Sequence, residues 1–312
     1  MPAPLAHTYS IVAHDPQSRQ FGVAVQSHYF GVGPIVGWAR PGVGAVATQS
    51  FVEVAYGPLG LELMQAGRTA EQALASLLAG DPQAGQRQAA MIDARGGVAA
   101  HTGKRCIAAA GHRQGKGYSV QANLMAKDTV WDAMAEAYEK ADGDLAARML
   151  AALFAAEGEG GDIRGRQSAA LLVVSGEAGL PAWGGRVFDL HVDDHPRPLE
   201  ELTRLLAIAR AYAHAQNASD LLADKARAEE KFELAEKEFQ LAAGEPAMRG
   251  NVELVFWYAA DLVNAGRVEA ALPFFQTAFA ADPAWRELVP RLAQVGLIVD
   301  DAGILERIAR ID

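Results

Sequence analysis

A chain of 312 residues, half of them hydrophobic and 21% charged, has the balance of a globular protein and the length for two domains. Its net charge of −10 argues against a nucleic-acid surface, which needs clustered Lys and Arg, and against a polybasic membrane anchor. The single cysteine, Cys106, rules out an intramolecular disulfide and a thiolate metal cluster.

The opening stretch, Met1-Pro2-Ala3-Pro4-Leu5-Ala6-His7, has no positive n-region and no apolar h-region, so no signal peptide is expected. The first third then reads as strands: Tyr9–Ala13, Phe21–Ser27, Gly33–Trp38 and Gly42–Thr48, the first two forming a hairpin across Asp15-Pro16. Small residues dominate them, which permits a second sheet to pack closely. The period changes at Leu59–Ala66 and Thr69–Leu78, two helices. Gly67 stands at the C′ position of the first, and Thr69 with Gln72 matches a capping box for the second. Strands return at Arg87–Asp93, Gly97–Thr102 and Gly117–Leu124. Val130–Lys140 and Asp144–Ala156 read as amphipathic helices. The Ala-rich run of the second is broken by Arg148, short of the ~20 apolar residues that span a bilayer. A Gly-rich loop, Gly158–Gly165, leads into the strand Ser168–Val174, and Arg186–Val192 is the last strand.

Grouped strands alternating with grouped helices predict an α+β domain over residues 1–195, two stacked antiparallel sheets with helices outside. From Pro198 the strand signal stops. Leu199–Ala215, Leu221–Ala243, Val252–Ala265 and Val268–Ala280 have helical period, giving an all-α domain over residues 196–312. Residues 259–283 resemble a tetratricopeptide helix pair, a kind of surface used to bind partners. Phe256-Trp257-Tyr258 cannot share one helix face, so at least one ring should meet solvent or a partner; a homodimer is the expectation. A cytoplasmic, bacterial-type protein with neither nucleic-acid nor membrane partner fits these features.

Many motifs in order then resemble one family. They include Thr8–Ala13, Gly22–Val25, Gly42–Gln49, Tyr56-Gly57-Pro58, Ala110-Gly111-His112, Gly117-Tyr118, Gly161-Asp162, Arg164-Gly165, Gln167–Ala170 and Val192–Pro196. Over residues 8–196 the chain is similar to the domain of unknown function 1028 family, grouped with the Ntn hydrolases. The resemblance implies an αββα sandwich and amide-bond hydrolysis. The C-terminal region resembles a domain, labelled peptidoglycan-binding, that accompanies the family in some members.

Ntn hydrolases use the first residue of a strand as nucleophile and its own α-amine as base. A free amine with pKa near 8 can take a proton at neutral pH. The analogy points to Thr8, with Ser10 on the same strand face as the alternative. Seven residues precede Thr8, so cleavage after His7 is required to free its amine. Where proteasome-like folds carry an acidic partner, this chain has Gln26 and Ser27. The backbone N–H of Gln49 is a candidate for the oxyanion hole. Asp162 and Arg164 form an ion pair that either orients the site near Thr8 or merely fixes its loop. Ser27, Ser168, His112 on a loop and Asn123 are candidate pocket-lining groups. His191, Asp193 and His195 share a strand face and could ligate Zn²⁺ or Mn²⁺, but Pro196 favours a turn capped by the histidine, and no metal or cofactor is expected. Cys106, beside Lys104 and Arg105, is either an activated thiol or an inert buried one.

Two functions remain open. One is an amidohydrolase of the Ntn type acting on a small amide or peptide-like bond. The other is an inactive sandwich that serves as a scaffold, with the helical domain docking a protein or glycan.

Overall fold

The structure, a computed structural model, describes residues 5–181, 183–224 and 228–311. The chain divides into two compact units, Met1–Thr203 and Arg204–Asp312. The division falls inside one long helix that follows the proline-bearing segment 196–198.

The first unit runs β1 (Leu5–Ala6), β2 (Thr8–His14), β3 (Phe21–Ser27), α1 (Gly33–Val36), β4 (Gly37–Arg40), β5 (Gly44–Phe51), α2 (Tyr56–Gln65), α3 (Ala70–Gly80), β6 (Arg87–Asp93) and β7 (Val98–Thr102). It continues with β8 (Gly111–Gly115), β9 (Tyr118–Ala122), α4 (Val130–Lys140), α5 (Leu145–Gly158), β10 (Ser168–Val174) and β11 (Arg186–Val192). One sheet has the order β1-β5-β6-β7, with β4 also on β5; the other has the order β11-β10-β3-β2-β9-β8. Every pairing is antiparallel. Helices α2 and α3 cover the outer face of the first sheet and α4 and α5 that of the second, while β2 and β3 face β5 across the middle. The unit is therefore four layers deep.

Strand period sorts the side chains. On β2, Thr8, Ser10 and Val12 align across the sheet with Ser27, Val25 and Val23 of β3. This is the face between the sheets. Its floor is apolar: Val12, Val23, Val25, Ala45, Ala47, Ala90 and Ile92 form one buried cluster. Its other end, around Thr8, is polar. The small residues read from sequence do what close packing demands. A Cβ on Gly22 of β3 would come within 2.4 Å of the Met149 methyl on α5, so glycine here gives that side chain its place against the strand.

Helix ends follow the sequence signals. Thr69 and Gln72 close a full capping box on α3. At the end of α2, Gly67 has φ +90°, with Gly67 N–H donating to Met64 O and Arg68 N–H to Leu63 O. Three local expectations are corrected. The predicted strand Gly33–Trp38 is a one-turn helix, α1, before the strand β4, because Pro34 presets the helical φ at the first turn. His112 lies on strand β8, which the polar sequence Gly111-His112-Arg113-Gln114-Gly115 disguised as a loop. The helix expected to end at Ala215 continues to Ala223.

The second unit contains most of α6 (Pro198–Ala223), then α7 (Ala228–Ala243), α8 (Glu253–Asn264), α9 (Val268–Ala281), α10 (Ala284–Gln294) and α11 (Ala302–Ala309). It has its own core, with Phe256, Leu262, Phe275 and Ala278 fully buried. Tyr258 is buried as well, whereas Trp257 between them is 36% exposed. Among the described residues, no helix is long and apolar enough to cross a membrane.

Candidate active site

The start of β2 is an interior strand position, flanked by β3 and β9 and faced by β5. Thr8 is fully buried there. Its hydroxyl donates to Ala6 O at 2.7 Å, folding back onto the segment that precedes it. Its carbonyl accepts from Asn123 N–H (3.1 Å), Gln49 Nε2 (3.1 Å) and Asn123 Nδ2 (3.4 Å). The peptide plane after Thr8 is thus clamped from β5 and from the residue that follows β9.

The carbonyl before Thr8 is held differently. His7 O accepts from the Ser27 hydroxyl at 2.7 Å and from Arg164 Nη2 at 2.8 Å. Ser27 reaches it because β2 and β3 pair Thr8 with Ser27. Arg164 reaches it from the Gly-rich loop after α5. Asp162, buried at the head of that loop, fixes the guanidinium with Oδ2 to Nη2 at 2.7 Å and Oδ1 to Nε at 3.0 Å. The same carboxylate accepts from the backbone N–H of Arg164 (2.9 Å) and His28 (3.2 Å). The loop can turn this tightly because Gly161 adopts φ +55°, where a Cβ would lie 2.3 Å from Glu157 Oε1. Asp162 and Arg164 therefore sit together against the Thr8 segment.

Behind Thr8 lies a buried amide network that the sequence did not reveal. Gln49, Gln88, Gln121 and Asn123 are all inaccessible to solvent. Gln88 Nε2 donates to Thr102 Oγ1 (2.9 Å), Gly111 O (3.1 Å) and Ala122 O (2.9 Å). Two of these are main-chain carbonyls, which can only accept, so Gln88 Oε1 must face the other way and accept. It does so from Gln49 Nε2 (2.7 Å) and Asn123 Nδ2 (2.9 Å). Gln49 Oε1 in turn accepts from the Ser10 hydroxyl at 2.7 Å, and Ser10 accepts from Gln121 Nε2 at 2.6 Å. Gln49 thus enters the site through its side chain. Alternating small residues and glutamines on strand faces were the available signal, but which face they shared depended on register.

The remaining candidates lie further out. His112 Nδ1 is 2.8 Å from Thr102 Oγ1, at the half-buried rim of the network, and burial pushes its pKa below 6.5, helped by nearby His101. The Ser168 hydroxyl donates to Tyr29 O and accepts from Val32 N–H at 3.2 Å, so it ties down the turn after β3. Gln26 points to the opposite face, where it donates to Tyr9 OH and to Glu157 Oε1 at 2.9 Å. Tyr9 also donates to Glu157 at 2.7 Å; burial, and then that carboxylate, push its pKa well above 10.

The expected alternatives at the domain boundary resolve into separate contacts. His191 pairs with Asp189 at 2.8 Å, and His195 Nδ1 accepts from Arg197 N–H at 3.0 Å. Among the described residues no group of three His, Cys, Asp or Glu side chains is arranged to hold a metal ion. Cys106 is not activated by its cationic neighbours: burial pushes the thiol up, against weaker opposition from Ser50 and the Gly103 backbone.

The class so defined is a two-sheet antiparallel sandwich, flanked by helices, with a polar interior around the start of a central strand. Residues 8–202 match the family described as a family of unknown function, DUF1028, and the chain belongs to that family. It is similar to the crystal structure of a DUF1028 protein from Silicibacter pomeroyi, at 30% identity and a TM-score of 0.57, covering 64% of this chain and 87% of that one. No curated protein matches the chain.

Proposed function

We propose that this protein is an amidohydrolase of the Ntn type, with Thr8 as nucleophile once the His7–Thr8 bond has been cut. The observation that carries the reading is the pair of donors, Ser27 Oγ and Arg164 Nη2, on the carbonyl of that bond. Two fixed donors on an acyl oxygen stabilise the negative charge that forms there when a nucleophile adds to its carbon. The nearest hydroxyl in sequence is that of Thr8. Attack by Thr8 Oγ1 forms an ester to the His7 acyl group and breaks the His7 C–Thr8 N bond, the hydroxyl proton ending on the new amine. Water then hydrolyses the ester, leaving a His7 carboxylate and a Thr8 with free amine and hydroxyl. In turnover that amine takes the hydroxyl proton as Oγ1 attacks a substrate amide, and gives it to the leaving nitrogen; water then hydrolyses the ester left on Oγ1, releasing the carboxylic acid and restoring the Thr8 hydroxyl.

Thr8 suits this role better than Ser10. Both hydroxyls donate to amide oxygens, Thr8 to Ala6 O and Ser10 to Gln49 Oε1, and amides are not bases. Thr8 differs in adjoining the His7 carbonyl that Ser27 and Arg164 hold, whereas the Ser10 oxygen already accepts from Gln121 Nε2. The four-layer arrangement and the position of Thr8 on a central strand agree with an Ntn-type fold. In the second unit, the α8–α9 pair turns at Gly266 with φ +78° and buries alanines at its contact, which supports a tetratricopeptide-like reading and a partner-docking role.

Intact mass of the purified chain tests the proposal. A species beginning at Thr8, absent in Thr8→Ala, is the expected result. A chain beginning at Met1 or Pro2 sinks the N-terminal-amine mechanism and leaves the scaffold reading.

A further inference from the structure

The segment ahead of Thr8 is held as a ligand would be. β1 adds to the edge of β5 as a short antiparallel strand, Leu5 opposite Phe51 and Ala6 opposite Ser50. Ser50 has φ +73°, a conformation a serine seldom adopts, at the position that receives Ala6. His7 follows, buried, its ring edge-on to Phe51 at 5.8 Å between centroids and 84° between planes. Its Nδ1 is 2.9 Å from Asn123 Oδ1.

The direction of that last bond is fixed by the amide network. Gln88 Oε1 must accept, so Asn123 must present Nδ2 to it and Oδ1 to His7. His7 Nδ1 therefore carries the proton and donates. The pocket selects a flat ring with an N–H at this place. A carboxylate would meet an acceptor oxygen, and a plain phenyl ring would leave Asn123 Oδ1 unpaired in a buried site, which is costly.

We propose that the acyl side of the substrate is an extended peptide ending in a histidyl residue, bound as the Ala6–His7 segment is bound now. The inference rests on the reading of Thr8 as nucleophile. Under that reading, self-cleavage and turnover pass through the same species, an acyl group esterified to Thr8 Oγ1. The groups that cradle the His7 acyl group are then the acyl subsite. Ser27 and Arg164 hold its oxygen, Phe51 and Asn123 read its side chain, and the edge of β5 pairs with the residues before it. After cleavage, release of residues 1–7 vacates this place for an incoming chain of like shape.

The test uses the purified protein and fluorogenic amides acetyl-Leu-Ala-Xaa-aminocoumarin, with Xaa as His, Phe or Glu. The expected order of kcat/KM is His above Phe by about tenfold or more, with Glu lowest; this is the discrimination a lost buried hydrogen bond gives. In Asn123→Ala the His-to-Phe ratio should collapse towards one. The ratio is unaffected by a general loss of activity. If that variant does not fold, inhibition of the wild type by acetyl-Leu-Ala-His against acetyl-Leu-Ala-Phe decides the same point. Thr8-dependent hydrolysis with no preference for His overturns the subsite while leaving the proposed function standing. No Thr8-dependent hydrolysis of any of the amides, in a chain that keeps residues 1–7, overturns both.

Discussion

Arg164 donates from one nitrogen, Nη2, to both the Asp162 carboxylate at 2.7 Å and the His7 carbonyl at 2.8 Å. The ion pair therefore aims a positive charge at the acyl oxygen and holds it there. Its partner on that oxygen, Ser27, comes from a different element, the end of β3. The two donors are independent, and each can be removed alone.

Arg164→Ala and Ser27→Ala are each expected to slow appearance of the Thr8-starting chain by roughly 100- to 1,000-fold, the usual effect of losing one oxyanion donor. Arg164→Lys keeps the charge but not the two-point grip of Asp162, so it should recover only part of the rate. Time-resolved mass spectrometry of a freshly translated chain measures this. Unchanged cleavage in both alanine variants would show that the donors only pin the segment.

Ser10→Ala should behave in the opposite way. It leaves Gln49 Oε1 and Gln121 Nε2 without their partner in a dry interior, at about 1–3 kcal/mol for each group. The melting temperature should fall, while protein that folds should still be cleaved before Thr8. A Ser10→Ala chain of normal stability that is never cleaved would move the nucleophile from Thr8 to Ser10.

That contrast marks what the sequence made legible. Ser168–Val174, Arg186–Val192 and Val130–Lys140 were readable to the residue because apolar periodicity and turn signals bound them. Thr8, Ser10, Gln49, Asn123, Asp162 and Arg164 were readable as polar side chains in apolar surroundings. The roles were not. Gln88 and Gln121 look like ordinary strand glutamines until β6 and β9 are set in register, when both turn inward. His7 carried no signal at all, since its meaning depends on β1 pairing with β5 through only two residues. Strand β8 was hidden because it sits at a sheet edge and needs no apolar alternation.

Acid should loosen the first unit, and His7 should contribute. Burial lowers the pKa of His7 below 6.5, and Arg164 adds to this; the hydrogen bond to Asn123 and the charge of Asp162 oppose without prevailing. As pH falls below 6.5, the unfolded chain takes up this proton before the folded one does. Stability therefore declines with falling pH in that window. His14 and His112 are lowered by burial too and act with the same sign. Asp15 and Asp81, held below 3.8 by hydrogen bonds that outweigh burial, lose their contribution only in stronger acid. In the uncleavable Thr8→Ala chain, melting temperature should drop between pH 7.5 and 5.5, and the drop should shrink in Thr8→Ala/His7→Phe. An identical drop in both would mean that His7 protonates freely in place.

The helical unit should fold alone if α6 is kept whole. Phe256 packs edge-on against Phe275 at 5.7 Å and tilted against Trp285 at 4.8 Å, and Phe239 stacks on Tyr258 at 4.0 Å, all within residues 204–312. These rings find their partners inside the unit, so its core is self-sufficient. Residues 198–312 expressed alone should give a strong helical circular dichroism signal and a cooperative melt. Phe275→Ala should cost about 3–5 kcal/mol, a large part of the stability of a unit of this size, and lower the midpoint of that melt. A non-cooperative melt of the wild-type fragment would mean that its stability is borrowed from the first unit. Trp257, 36% exposed, is one of the aromatics that this unit leaves partly uncovered. If a second copy covers it, the full chain should sediment as a dimer at micromolar concentration and as a monomer in Trp257→Ser, with the fragment's melt unchanged. A monomeric wild type would leave Trp257 as a solvent-facing residue, or as the contact for a different partner.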